Sequence, residues 1–277
     1  MAWGHEATEE FVRVMDLDSK WGHDNGLAAV IPRVLLFSTL GICFALPDMI
    51  GGNGYGAGGN IYAKERPPPD MYVRWMQANA LMPMQLSIPP WRYADTPYAA
   101  LIDRVLRRVF ATRRALLSLT LGALNESTAL NLPLVRPLWM HHLGANATEL
   151  TARARALAMT SDQYMLGSCV VVAPLLAPNM TGRSVHLPRG SWTSCYAPRG
   201  SAREEIVLHS DGSLVFYVHA PSLEDETPCY RLVDHSDRGP CKLTQQALPE
   251  CLQKNGLILE LLILFVHILL YLNNSNS

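Results

Sequence analysis

Asp16 and Asp18 flank Leu17 with Trp21 close behind, and Asp48 follows an apolar run and precedes Gly51-Gly52. Carboxyl groups hold or release a proton near neutrality once burial or a neighbouring charge moves them, so this set can do acid–base work. If Asp16 ends a strand, Asp18 points the same way, because strand side chains alternate with a period of two. Asp48 can accept more than one hydrogen bond, and Gly51 and Gly52 let the backbone after it approach a neighbour closely. Each assignment has a competitor. Asp18 also fits a neighbouring loop carboxylate, and Asp48 fits an Asp that caps its own backbone.

Other patterns carry less. Gly54-Tyr55-Gly56-Ala57-Gly58-Gly59 satisfies G-x-G-x-x-G, but Pro67-Pro68-Pro69 intervenes before any helix. A dinucleotide site needs that turn to open a helix directly. His141 and His142 are adjacent and point apart on a strand or helix, so no metal site is assigned. Arg104, Arg107, Arg108, Arg113 and Arg114 spread around a helix, as on a solvated or carboxylate-paired face, and not as a nucleic-acid patch. With 23 Lys+Arg against 24 Asp+Glu, charge implies no polyanionic partner. No cofactor is implied.

The elements that must position the carboxylates follow from apolar patterning. Residues 27–41 read as a buried helix with Pro32 near its first turn and a glycine stop. Ile42 to Leu46 is a short apolar run suited to a buried parallel strand. A glycine-rich loop follows, then a helix over MYVRWMQANALM with Asp70 as its cap. Residues 97–118 predict one long helix, and LPLVRPL (133–139) a further buried strand. From about residue 163, QYMLG, SCVVVAPLL, RSVHLP, EIVLHS and SLVFYVHA are short strand-like runs between turns. The reading is α/β: residues 1–160 as part of a barrel, 161–245 as a β-sandwich, and 246–277 as a divergent tail. A full (β/α)₈ barrel needs roughly 250 residues, so the barrel portion is incomplete and its open strand edges predict poor folding alone.

Asn125-Glu126-Ser127, Asn146-Ala147-Thr148, Asn179-Met180-Thr181 and Asn273-Asn274-Ser275 fit the N-glycosylation pattern and favour the secretory pathway. The six cysteines agree with an oxidising compartment: Cys43 reads as a buried thiol, and Cys229, Cys241 and Cys251 lie where a disulfide fits. The N-terminus lacks a basic start and an apolar core, so it is no signal peptide, and the natural chain is expected to begin earlier. The apolar run 257–272 would make a helix about 24 Å long against a hydrocarbon core of about 30 Å. It is either a marginal membrane anchor or a buried terminal segment, and the second is preferred. A GPI signal fits less well, because the chain ends in polar residues.

Three segments resemble glycoside hydrolase family 31: Val14-Met15-Asp16-Leu17-Asp18-Ser19-Lys20-Trp21, Leu46-Pro47-Asp48-Met49-Ile50-Gly51-Gly52-Asn53, and Tyr72-Val73-Arg74-Trp75 with Met84-Gln85-Leu86-Ser87-Ile88-Pro89-Pro90-Trp91. Val135-Arg136-Pro137-Leu138, Gln163 to Gly167 and Val172-Ala173-Pro174 resemble the family's last barrel strand and following sandwich. The resemblance spans about residues 10 to 195 and implies a retaining α-glycosidase acting on an oligosaccharide or glycoconjugate. That mechanism uses two carboxyl groups about 5–5.5 Å apart. The family's acid/base is an Asp five residues before a Trp, which is Asp16. The same resemblance implies Asp48 on the sugar hydroxyls, Gly51 and Gly52 beside it, and Ser87 and Trp91 lining the pocket. Core packing accounts for Trp91 equally well. No segment before Asp16 resembles the family's nucleophile motif. Many family α-glucosidases have a sugar-binding His near the position of Ile88, and its absence leans the reading towards an α-galactosidase over an α-glucosidase type. A non-catalytic carbohydrate-binding or regulatory protein is the alternative.

Overall fold

The computed structural model describes residues 11–53, 66–83, 88–142, 160–195, 208–210, 215–219, 222, 224 and 228–233. The chain divides into a unit Met1–Lys242 and a unit Leu243–Ser277, and all described residues lie in the first. The glycine-rich run 54–59, Ser87, Cys241, Cys251 and the apolar segment 257–272 lie outside them. Among the described residues no helix is long and apolar enough to cross a membrane.

Strand β1 (Phe11–Arg13) pairs in parallel with β2 (Phe44–Leu46), Phe11 opposite Phe44 and Arg13 opposite Leu46. The connection carries a 3₁₀ turn, Leu27–Ala29, and helix α1 (Val30–Thr39). Pro32 is tolerated there because the first-turn N–H groups have no intrahelical partner. Val30, Ile31, Val34 and Leu35 are buried, and the Ser38 hydroxyl binds the carbonyl of Val135 at 2.5 Å. Gly41, at φ 87, stops the helix in the left-handed region.

Helix α2 (Pro69–Ala78) begins earlier than its apolar pattern predicts. Asp70 is not the cap; it lies inside the first turn, and Pro68 occupies the cap position. Pro69 starts a helix well because its ring fixes φ and its missing N–H would have no partner there. The single helix expected over 97–118 is two, α3 (Ala99–Ala115) and α4 (Leu117–Leu130), broken at Leu116 with φ −99 and ψ 11. The arginines of α3 pair with acids: Arg107 with Asp103 at 2.9 Å, and Arg104 with Glu224 at 2.5 Å. Arg113 turns inward, donating to the carbonyls of Ala80 and Met82 at 2.8 Å.

The second half is mostly sheet. Strands β3 (Val135–Arg136), β4 (Tyr164–Leu166), β5 (Val170–Val172), β7 (Gly190–Ser194), β8 (Leu208–Ser210) and β10 (Cys229–Leu232) form one sheet, ordered β3-β4-β5-β10-β7-β8. β6 (Gly182–His186) and β9 (Val215–His219) form a second, antiparallel pair. The two sheets share an apolar core in which Met165, Val171 and Trp192 of the first meet Val185 of the second. Strands β7 and β10 were not foreseen from sequence. Disulfide Cys195–Cys229 joins them, so Cys229 is oxidised as expected, with Cys195 as the partner. Cys169 is also disulfide-bonded, and Cys43 is a buried free thiol as anticipated.

Trp192 is fully buried, and its indole N–H donates to the Pro188 carbonyl at 2.9 Å. Trp192→Ala should therefore lower unfolding stability by about 3–5 kcal/mol in urea titrations. An unchanged midpoint would contradict this core.

Candidate active site

Both acidic candidates follow the carboxyl ends of adjacent parallel strands. β1 ends at Arg13 with Asp16 three residues on, and β2 ends at Leu46 with Asp48 two residues on. The strand pairing thus brings the two loops together, and Val14 N–H continues it by donating to Leu46 at 2.9 Å.

Asp48 has no exposed side-chain surface. Its Oδ1 accepts from Arg13 Nη2 at 2.6 Å and its Oδ2 accepts from the Leu17 N–H at 2.6 Å. Arg13 is forked: its other nitrogen, Nη1, lies 2.5 Å from Asp16 Oδ1. One guanidinium therefore spans a buried and an exposed carboxylate, the Asp16 side chain being 49% exposed. Burial pushes the Asp48 carboxyl pKa up, while the N–H groups of Leu17 and Met49 and the Arg13 charge oppose that shift.

The Asp16 loop is held from several sides. Arg33, on α1, donates to the Met15 and Asp16 carbonyls at 3.3 and 3.4 Å and to Asn25 Oδ1 at 2.6 Å. Ser19 Oγ donates to Gly51 at 2.5 Å, and the Asn53 N–H donates to Leu17 at 3.0 Å. Gly52, at φ 71, sits so close that a Cβ would lie 2.9 Å from the Leu17 carbonyl oxygen. Its lack of a side chain lets the loop after β2 press against the loop after β1. Gly51 is similarly enclosed, by Pro67, Tyr72 and Ile88.

Asp18 differs from Asp16 in its partners. Hydrogen bonds with Asn25 and with Lys20, whose Nζ is 3.1 Å away, hold its carboxyl below the usual range. A group held ionised in this way is a poor proton donor. Trp91 lies on a short 3₁₀ segment and is 63% exposed, and Ser87 is outside the described residues. The structure therefore brings Asp16, Asp48, Gly51 and Gly52 together, with Ile88 packed beside Gly51. Arg13 and Arg33 were missed from sequence. An Arg three residues before Asp16 at a strand end was a readable signal for the first; Arg33 needed the fold. His141 Nε2 is 3.1 Å from the Arg189 carbonyl, and among the described residues no group of His, Cys, Asp and Glu could hold a metal ion.

The fold has counterparts among solved structures, and its sheet-rich part matches a known domain family. Residues 131–231 match the glycosyl hydrolase family 31 C-terminal domain. The chain carries the C-terminal domain of glycoside hydrolase family 31. It is 40% identical to the myogenesis-regulating glycosidase of Mus musculus over 189 residues, covering 66% of this chain and 24% of that protein. It is 30% identical to the SITS-binding protein of Tetronarce californica over 183 residues, covering 66% of this chain and 23% of that one. The chain thus spans about a quarter of the length of the curated relatives it matches. Among solved structures it resembles a family 31 sulfoquinovosidase from E. rectale, with TM-score 0.60, 20% identity, and coverage of 81% of this chain and 30% of that one. A xylosidase from Aspergillus niger gives TM-score 0.60 at 20% identity, over 81% of this chain and 32% of that one.

The raised pKa of Asp48 has a definite linkage sign. A carboxyl that binds its proton more tightly when folded stabilises the fold below the ordinary Asp range, and that contribution is lost as pH rises through its folded value. The stability of the wild type relative to Asp48→Asn should therefore fall as pH rises across that window, measured by denaturant titration at several pH values. A difference that is flat, or that grows with pH, would contradict the burial of Asp48.

Proposed function

We propose that this chain supplies the acid/base carboxylate and part of the sugar pocket of a retaining α-glycosidase that hydrolyses O-glycosyl bonds. The observation that carries the reading is the placement of Asp16, exposed and held in one loop, beside Asp48 at the carboxyl ends of parallel strands. Loops at that end of parallel strands carry the chemistry in barrel enzymes. In this reading residues 1–160 furnish a (β/α)₈ portion, 161–245 a β-sandwich and 246–277 a tail, with β3 reaching across to pair with β4.

Asp16 would first protonate the leaving glycosidic oxygen while a second carboxylate attacks the anomeric carbon. It would then take a proton from the water that releases the sugar. No segment before Asp16 fits that nucleophile by motif, so the activity is assigned to a polypeptide that also carries it. Asp48 holds Arg13 and the Leu17 N–H, and through them the loop bearing Asp16. Direct contact of Asp48 with sugar hydroxyls would require them to displace Arg13. Gly51, Gly52, Ser87 and Trp91 complete the pocket in this reading, with Trp91 presenting an apolar ring face. Ile88, packed beside Gly51, removes the His of many family α-glucosidases and inclines the pocket to an α-galactoside.

A secretory location is proposed with this activity. The Cys195–Cys229 disulfide and the bonded state of Cys169 support it, because such bonds persist in oxidising compartments.

The test is the leaving-group dependence of Asp16→Asn in the polypeptide that includes the nucleophile. Hydrolysis of an alkyl α-galactoside, whose leaving oxygen needs a proton, should fall by about 10²–10⁴-fold. The first step with a nitrophenyl α-galactoside, which needs none, should fall far less. Equal losses on both substrates would contradict the acid role. Sugar binding without turnover in the unaltered polypeptide would favour the non-catalytic alternative.

A further inference from the structure

Two of the four sequons lie among the described residues, and the fold treats them oppositely. Glycosylation needs the Asn amide and the hydroxyl two residues on to come near each other, which a turn allows. On a helix, residues i and i+2 do not face each other.

Asn125 is in the interior of α4, two residues before Ser127 on the same helix. Ser127 is fully buried, and its Oγ accepts from Arg136 Nη2 at 3.5 Å. Glu126, between them, pairs with Arg136 at 3.0 Å and accepts from the Ser168 hydroxyl at 2.9 Å. Sequence pattern alone cannot see this: a matching triplet is locked into a helix against the β3–β4 region.

Asn179 is the reverse case. It sits at φ 57 in the exposed turn between β5 and β6, with Thr181 exposed as well. The left-handed region is one that Asn adopts more readily than most residues, and it takes the triplet out of any regular helix or strand. The turn is anchored at its base. Arg74, buried in α2, donates to the Met180 carbonyl at 3.1 Å, and Arg183 donates to the Pro174 carbonyl at 2.7 Å. A recess of roughly 230 Å³ lined by Trp21, Asp70, Arg74 and Asn179 adjoins the turn, leaving space that no protein atom fills.

We infer that Asn179 carries an N-linked oligosaccharide and that Asn125 does not. This rests on the secretory reading above. The donor is an oligosaccharide on a polyprenyl pyrophosphate. The Asn179 amide nitrogen bonds to the first sugar's anomeric carbon as that carbon's bond to the pyrophosphate oxygen breaks. The lipid pyrophosphate leaves, and the amide gives up one proton.

The experiment is peptide mapping of the full chain, expressed in mammalian cells behind a cleavable secretion signal. Digestion with the amidase that turns a glycan-bearing Asn into Asp is run in heavy-oxygen water. The expected result is a label at position 179, none at 125, and loss of the 179 label in Thr181→Ala with Asn179 intact. An unlabelled Asn179, or a labelled Asn125, would overturn the inference. The protein isolated from its natural source is mapped in parallel. Complete absence of label there, with label at 179 in the signal-bearing chain, would sink the secretory reading and leave the fold's choice between the two sequons standing.

Discussion

The buried carboxylate of Asp48 is the fixed point of the candidate site. An unpaired charge in that position would be strongly destabilising, so Arg13 and the Leu17 N–H must both be present to satisfy it. That requirement sets the path of the chain. Arg13 has to stand at the end of β1 beside β2, and Leu17 has to turn its backbone towards the second loop. Asp16, lying between these two points, has little freedom left. Its outward position is a consequence of what its neighbours must do.

The glycines belong to the same constraint. Gly52 has no room for a Cβ against Leu17, and the Asn53 N–H reaches the Leu17 carbonyl only because the loops touch there. Arg33 closes the assembly from the side of α1, binding the successive carbonyls of Met15 and Asp16. Site geometry is therefore carried by backbone contacts and two arginines. Rigid support of this kind is what a proton-transferring group needs, since its reach is only a hydrogen-bond length.

Much of this was legible in the sequence and some was not. The apolar runs at 42–46 and 164–172 gave their strands because periodicity reports burial directly. Asp16 and Asp48 were found through the resemblance to family 31 motifs, which also put Gly51 and Gly52 beside Asp48. The environment of Asp48 was not readable: spacing indicates where a carboxylate sits and not which donors face it. Helices α3 and α4 were merged because both sides of Leu116 favour helix, and only tertiary contacts decide the break. Strands β7 and β10 escaped because GSWTS and CYRL are short and only partly apolar, and their pairing joins residues far apart in sequence. Asp70 was misplaced as a cap because Pro69 could begin the helix itself.

The central claim is that Asp16 is the acid/base of a retaining reaction. Azide rescue of Asp16→Ala tests it most directly, in the polypeptide that carries the nucleophile and with an activated α-galactoside. Once the carboxylate is gone, azide can enter the space it leaves and attack the covalent glycosyl intermediate without general-base help. The account predicts restored turnover with an α-glycosyl azide as product, the configuration retained. A β-glycosyl azide would mean that Asp16 is the nucleophile, and unimpaired hydrolysis without azide would mean that it has no part in the chemistry.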